Sequence, residues 1–225
     1  MKKLLLFLLL FAAVNRVSAQ KAPVDTVSRH QQTISIQLGT QGIGAEYRYG
    51  LFSQLNLRAG IATLPVDQKN VFDIDDVNSK NDLSAKFTNI HLLAEVTPFK
   101  SFQFLRVIAG AASILKGNGH IDITPTDTYK YGDITLTPEQ VGNLQMDINW
   151  DGICPYFGLG LVKAFPKNRF NINVDLGTYY LNKPTATFAG SGIFAGNSSQ
   201  SAQLQKNVED YRWLPVVQLN FNFKL

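Results

Sequence analysis

Seven ionisable side chains stand at alternate positions inside otherwise apolar stretches of the chain: Glu46, Arg48, Arg58, His91, Glu95, Arg106 and Asp175. Three carboxylates and three guanidinium groups that share one enclosed space can neutralise each other. Pairing is then the expected arrangement, because a buried charge without a partner is far too costly. Catalysis would need something else, a nucleophile held beside a base. The sequence contains His30, His91 and His120 and no other histidine. His30 falls in a polar leader, and His91 lies near Glu95, where a structural hydrogen bond is expected. His120, close to Asp122 in a long polar segment, is the one candidate base, and no serine stands at a diagnostic spacing from it. No enzymatic activity is therefore expected. Asp73-Ile-Asp-Asp76 lacks the glycine and distal glutamate of a calcium-binding loop. Gly158-Leu-Gly160 lies inside a strand pattern, where glycine relieves crowding, and is no phosphate-binding loop. No metal and no cofactor are expected, and Cys154, alone in the chain, reads as a small apolar strand residue.

The elements that must position these groups are strands. In the last eleven residues, Val217, Leu219, Phe221, Phe223 and Leu225 alternate with Gln218, Asn220, Asn222 and Lys224. A period of two places the two sets on opposite faces of an extended strand. Similar alternation recurs at about 33 to 39, 42 to 49, 54 to 64, 83 to 97, 102 to 116, 153 to 164, 169 to 182 and 213 to 225. The parity of the pattern shifts across Gly39-Thr-Gln-Gly42, which requires either a tight turn or a bulge. A turn gives eight strands and is favoured. A bulge would require an eighth strand within 185 to 194. Pro65 is expected to end the third strand. Thr137-Pro-Glu-Gln140 has the order of a helix start, and Leu204, Val208 and Tyr211 suggest an amphipathic helix.

The two ends bound the setting. Lys2 and Lys3, the apolar run Leu4 to Ala13 and Val17-Ser18-Ala19 predict a cleaved secretory signal at residues 1–19. A polar leader follows at 20–32, and one β domain at 33–225. Losing Lys2, Lys3 and Arg16 from the 21 basic residues leaves 18 against 17 acidic ones, so no nucleic-acid partner is indicated. Connections alternate between short (50 to 53, 98 to 101, 165 to 168) and long (65 to 82, 117 to 151, 183 to 212). That asymmetry matches the short inner turns and long outer loops of bacterial outer-membrane barrels. Aromatics near strand ends, Tyr47, Tyr49, Tyr156, Tyr179, Tyr180, Trp213, Phe221 and Phe223, would form the interface girdles. A soluble sandwich or lipocalin-like barrel would show the same alternation. The export signal, the terminal strand and the loop asymmetry favour the membrane.

Gly39-Thr-Gln-Gly-Ile-Gly-Ala-Glu-Tyr-Arg-Tyr49, Leu136-Thr-Pro-Glu-Gln-Val-Gly142, Pro155-Tyr-Phe-Gly-Leu-Gly160, Asp175-Leu-Gly177 and Leu214-Pro-Val-Val217 resemble a family of small outer-membrane β-barrel proteins of Gram-negative bacteria. The resemblance spans most of the chain after the signal and implies a fold and an address, with no reaction attached. The chain ends in Leu225 where that family usually ends in Phe. The expectation is an all-β, antiparallel up-and-down barrel of eight strands in the bacterial outer membrane. Its interior would be plugged by the seven ionisable groups, and Val217, Leu219, Phe221, Phe223 and Leu225 would face lipid. Expected partners are outer-membrane lipids and, during insertion, the barrel-assembly machinery. The long loops suit a structural, adhesive or surface-binding role. A narrow channel for small or apolar molecules and an outer-membrane lipid-modifying enzyme are the alternatives.

Overall fold

The computed structural model describes residues 30–70, 78–98, 104–131, 133–164 and 169–225. The signal at 1–19, the leader up to residue 29 and the run Asp73 to Asp76 lie outside the described residues. In chain order the elements are β1 (Gln32–Gly39), β2 (Gly42–Phe52), β3 (Leu55–Lys69), β4 (Ser79–Val96), β5 (Leu105–Pro125), β6 (Tyr129–Tyr131) and β7 (Ile134–Leu136). They continue with α1 (Pro138–Val141), β8 (Leu144–Asn149), β9 (Gly152–Ala164), β10 (Phe170–Tyr180), β11 (Thr185–Gly190), a 3-10 helix (Gly192–Gln200), α2 (Ser201–Val208) and β12 (Trp213–Lys224).

Eight of these strands close a ring in the order β1, β2, β3, β4, β5, β9, β10 and β12, all antiparallel, with β12 paired back onto β1. Closure removes the exposed edges that an open sheet would present. Gly39 pairs with Gly42 around Thr40 and Gln41, so this segment is a two-residue turn, as favoured. Gly42 adopts φ +90° there, and a Cβ on it would lie 2.0 Å from the carbonyl oxygen of Thr63. The segment from Thr185 forms β11, which pairs with β8 and stays outside the ring.

In the ring the apolar residues face outward. Ile34, Ile36 and Leu38 are exposed while Thr33, Ser35 and Gln37 are buried, and β12 repeats the pattern with Gln218, Asn220 and Asn222 inside. A water-soluble sheet would not bury amides and expose isoleucines, whereas a wall in contact with lipid must. Among the described residues no helix is long and apolar enough to cross a membrane.

Lengths then decide where the membrane ends. A tilted strand needs about 9–11 residues to cross the hydrocarbon layer, but β4 has 18 and β5 has 21. Their outer halves, with the ends of β3, β8 and β11, form a five-stranded extension above the ring, ordered β3, β4, β5, β8, β11. There the polarity inverts. On β4, Ile90, Leu92 and Val96 face out below Thr88, while Lys86, Ser84 and Asp82 lie on that same outer side above it. On β5 a bulge does the equivalent work, since Thr88 pairs with Lys116 but Asn89 pairs with Ile114, leaving Leu115 over. The extra residue turns the strand so that Ile121 and Ile123 share the inner side. At this level β5 also exchanges partners, pairing with β9 up to Ile114 and with β8 from Asn118.

Much of what reads as loop at 65 to 82 and 117 to 151 is therefore strand. Pro65 does not end β3; it pairs opposite Lys86. It is tolerated because β2 pairs with β3 only as far as Thr63, so Pro65 lies on an edge where a missing N–H goes unclaimed. The opposite edge, β11, is capped by α2. Ser201 Oγ accepts from the Phe188 N–H at 3.1 Å and donates to the Phe188 carbonyl at 3.1 Å. Gln205 accepts from the Ala186 N–H at 2.8 Å and donates to the Pro184 carbonyl at 2.7 Å. The helix start at Thr137 is present as α1, where the Thr137 N–H donates to Gln140 Oε1 at 2.9 Å.

Replacing Gly42 with alanine combines a left-handed backbone with a clash against main chain. The G42A variant is expected to lose at least ~1–3 kcal/mol, read as a shift of the denaturant midpoint of the refolded protein in detergent, with an equal loss not seen for alanine at the open Gly119.

Candidate functional site

The seven ionisable residues come from five strands of the ring: Glu46 and Arg48 from β2, Arg58 from β3, His91 and Glu95 from β4, Arg106 from β5 and Asp175 from β10. All seven are buried in the lumen. Strand parity sends them there, because each alternates with an outward apolar neighbour. Arg58 is the hub. Its Nε lies 2.8 Å from Glu46 Oε1, Nη1 3.0 Å from Glu95 Oε2 and Nη2 2.7 Å from Asp175 Oδ2. Arg106 Nη1 lies 2.5 Å from Glu95 Oε1, and Arg48 Nη2 lies 3.3 Å from Glu95 Oε2 and 3.7 Å from Glu46 Oε1. His91 Nε2 is 3.4 Å from Glu46 Oε2, and its Nδ1 is 3.1 Å from Asn89 Oδ1.

Amides complete the shell. Gln37 donates to Glu46 at 2.9 Å, Asn56 to Glu95 at 2.9 Å and Asn220 to Asp175 at 2.7 Å. Asn222 bonds both Asn173 and Ser35. These amides were absent from the sequence-derived set. They share the inward parity of the charged residues, which was the signal that could have included them. An eight-stranded barrel leaves room inside for side chains and little more, and this network fills the inner half of it.

The outer half is plugged differently. Ile108, Ala112, Ile114, Cys154, Tyr156, Tyr179 and Val216 form a buried apolar cluster. Tyr156 and Tyr179 were expected at the membrane interface, but their parity turns them inward, where their rings pack at 4.8 Å. Gly177 makes room, since a Cβ there would come within 2.4 Å of the Tyr156 hydroxyl. Tyr180 and Trp213, expected in the same girdle, do lie on the outer wall, their rings 4.7 Å apart and the Arg212 guanidinium 4.2 Å over the Tyr180 ring. At the inner end Phe170 and Phe223 pack at 5.1 Å. On β12, Val217, Leu219 and Phe223 are exposed on the outer wall and Phe221 is half-buried on the same side, and Leu225, one residue past the strand, is exposed.

His120 meets Asp147 and not Asp122, with Nδ1 to Oδ1 at 2.7 Å. Ser84 is in register with His120 on β4, and Asp147 with His120 on β8. This row lies on the outer wall of the extension. It contributes to neither the cavity at the inner mouth of the lumen nor the groove on the barrel wall. Among the described residues no cluster of three metal-ligating side chains occurs.

The chain is similar in fold to two crystal structures from Acinetobacter baumannii. It matches CarO2 with a TM-score of 0.63 at 19% identity, covering 87% of this chain and 98% of that one. It matches CarO with a TM-score of 0.62 at 20% identity, covering 88% of this chain and 99% of that one. No family model and no curated protein matches the sequence. These structural neighbours are outer-membrane β-barrel proteins, and at such identities the likeness is one of fold.

Removing the hub leaves three buried carboxylates short of a counter-charge. Arg58→Met is expected to destabilise the barrel by about 3–5 kcal/mol, measured as the denaturant midpoint in detergent micelles. Conversely, a wild-type midpoint in this variant would show that the network carries no stability.

Proposed function

We propose that this protein is a sealed outer-membrane barrel that works through the five-stranded extension above its ring, as a surface-binding or adhesive protein. The observation that carries this reading is the contrast between the two parts. The lumen is filled by a charge network below and an apolar plug above, whereas the extension raises ordered sheet, α1 and α2 well past the length needed to cross lipid. Binding functions tend to sit on segments that a rigid scaffold holds out. The outward wall of the ring is solvated by outer-membrane lipid, and the barrel-assembly machinery inserts the chain, with β12 as its terminal amphipathic strand.

The role is binding and not catalysis. Ser84, His120 and Asp147 line up across three strands, but they lie on an exposed wall, half open to water, where a transition state would find little shielding from solvent. A channel would require the Arg58 network to be displaced.

The geometry suggests a clean test. The Trp150 N–H donates to the Gly117 carbonyl at 2.6 Å, so the ends of the 118–149 excursion already meet. Replacing 118–149 with a short turn is expected to leave the heat-modifiable migration of a folded barrel intact while abolishing retention of intact cells on protein and glycan arrays. Undiminished retention would refute the proposal. In planar bilayers the full chain is expected to show no large ohmic conductance, and a steady open current would favour the channel instead.

A further inference from the structure

We infer that the inner mouth of the lumen is a binding site for a small monovalent anion of halide size. A cavity of about 30 Å³ opens there. It lies beneath the charge network, walled by Arg48 of β2, Asn56 of β3, Arg106 of β5, Asn171 of β10, Lys224 of β12 and Thr33 of β1. That volume accommodates one or two water-sized spheres, since about 10–15 Å³ suffices for one, and it is too small for an organic acid.

The wall is chemically one-sided. It brings together two guanidinium groups, an ammonium group, three amides (Gln31 adds the third) and a hydroxyl, and among the described residues that line it none is acidic. Glu95, the acid that Arg106 faces, is also bound by Arg58 and Asn56 and does not line the cavity. Arg48 and Arg106 are more than nine-tenths buried. Even so, the Nε of each has no acceptor, and neither does Arg48 Nη2 within hydrogen-bond geometry. Asn171 Oδ1 likewise has no partner, and rotating its amide by half a turn would present the N–H₂ group as a donor. Buried guanidinium N–H groups without acceptors carry a desolvation penalty that a bound acceptor removes. A charged acceptor does so more strongly than water, because hydrogen bonds to an ion are roughly twice as strong as neutral ones.

An anion held there would tie together side chains from six of the eight ring strands. It would act as a fastener at the inner end of the seam between β1 and β12, where Thr33 pairs with Lys224. The expected consequence is a stability that depends on the identity of the dissolved anion and not on ionic strength.

Crystals of the full chain soaked in sodium bromide, with data collected at the bromine edge, are expected to show an anomalous peak within hydrogen-bonding distance of Arg48 and Arg106. Asn171→Asp keeps every arginine and its acid in place but puts a tethered carboxylate on the cavity wall, so the peak should vanish. Arg106→Gln should also remove it. Should that variant fail to fold, N171D alone decides. In detergent, the thermal midpoint of the wild type should be higher in chloride than in gluconate at equal ionic strength, and the difference should disappear in N171D. A wild-type cavity without an anomalous peak, a peak that survives in N171D, or equal midpoints in the two salts would each overturn the inference.

Discussion

The structure hangs on one requirement: charge placed inside a wall that faces lipid has to be neutralised inside that wall. Arg58 meets it by offering three nitrogens to three acids on β2, β4 and β10. An isolated ion in so dry a space would incur a penalty of several kcal/mol, and the ring geometry supplies the partners by construction, since consecutive inward positions of neighbouring strands face each other. The network in turn fixes the ring. Arg58 and its three acids span the barrel interior, so the register of one wall is read against the register of the other. A one-residue slip of any of the five strands that carry these groups would move a charge to the lipid side.

A second consequence concerns how one sheet serves two solvents. The same strands β3, β4 and β5 are apolar outward in the ring and polar outward in the extension. On β3 and β4 the change is written in the residue order, with Ile61 followed by Leu64 and Val66 on the other parity, and Ile90 preceded by Phe87 and Leu83. On β5 the order hardly changes, and the bulge at Leu115 changes the facing of the backbone instead. The chain thus uses both ways to reverse a face, one chemical and one geometric, at the same height along the barrel.

This explains what could be read in advance. The eight ring strands, the turn at Thr40 and Gln41 and the inward charges were legible because a period of two survives wherever one side meets lipid. The extension was not, because a search for unbroken alternation stops where the polarity inverts, and 65 to 82 with 117 to 151 then resembles loop. The cue was present in β4, where apolar residues move from even to odd positions at Thr88. In β5 no such cue exists, since an inserted residue leaves no compositional trace. Tyr156 and Tyr179 were misplaced for a related reason: proximity to a strand end was weighed above parity. His120 finds Asp147 only through the pairing of β5 with β8, a contact between segments that the sequence does not mark as neighbours.

The two sides of the extension are finished differently. β11 has its backbone groups taken up by Ser201 and Gln205 of α2, and β3 carries Pro65, Asp67 and Lys69 along the side that β2 leaves. Outer membranes are crowded, and proteins in them collide continually in two dimensions with little freedom to tumble apart. Sheet that stands proud of the bilayer would, with bare margins, zip copy to copy into ribbons across the cell. One margin sealed by a helix and the other spoiled by an imino acid and alternating charge remove the template for such edge-to-edge pairing.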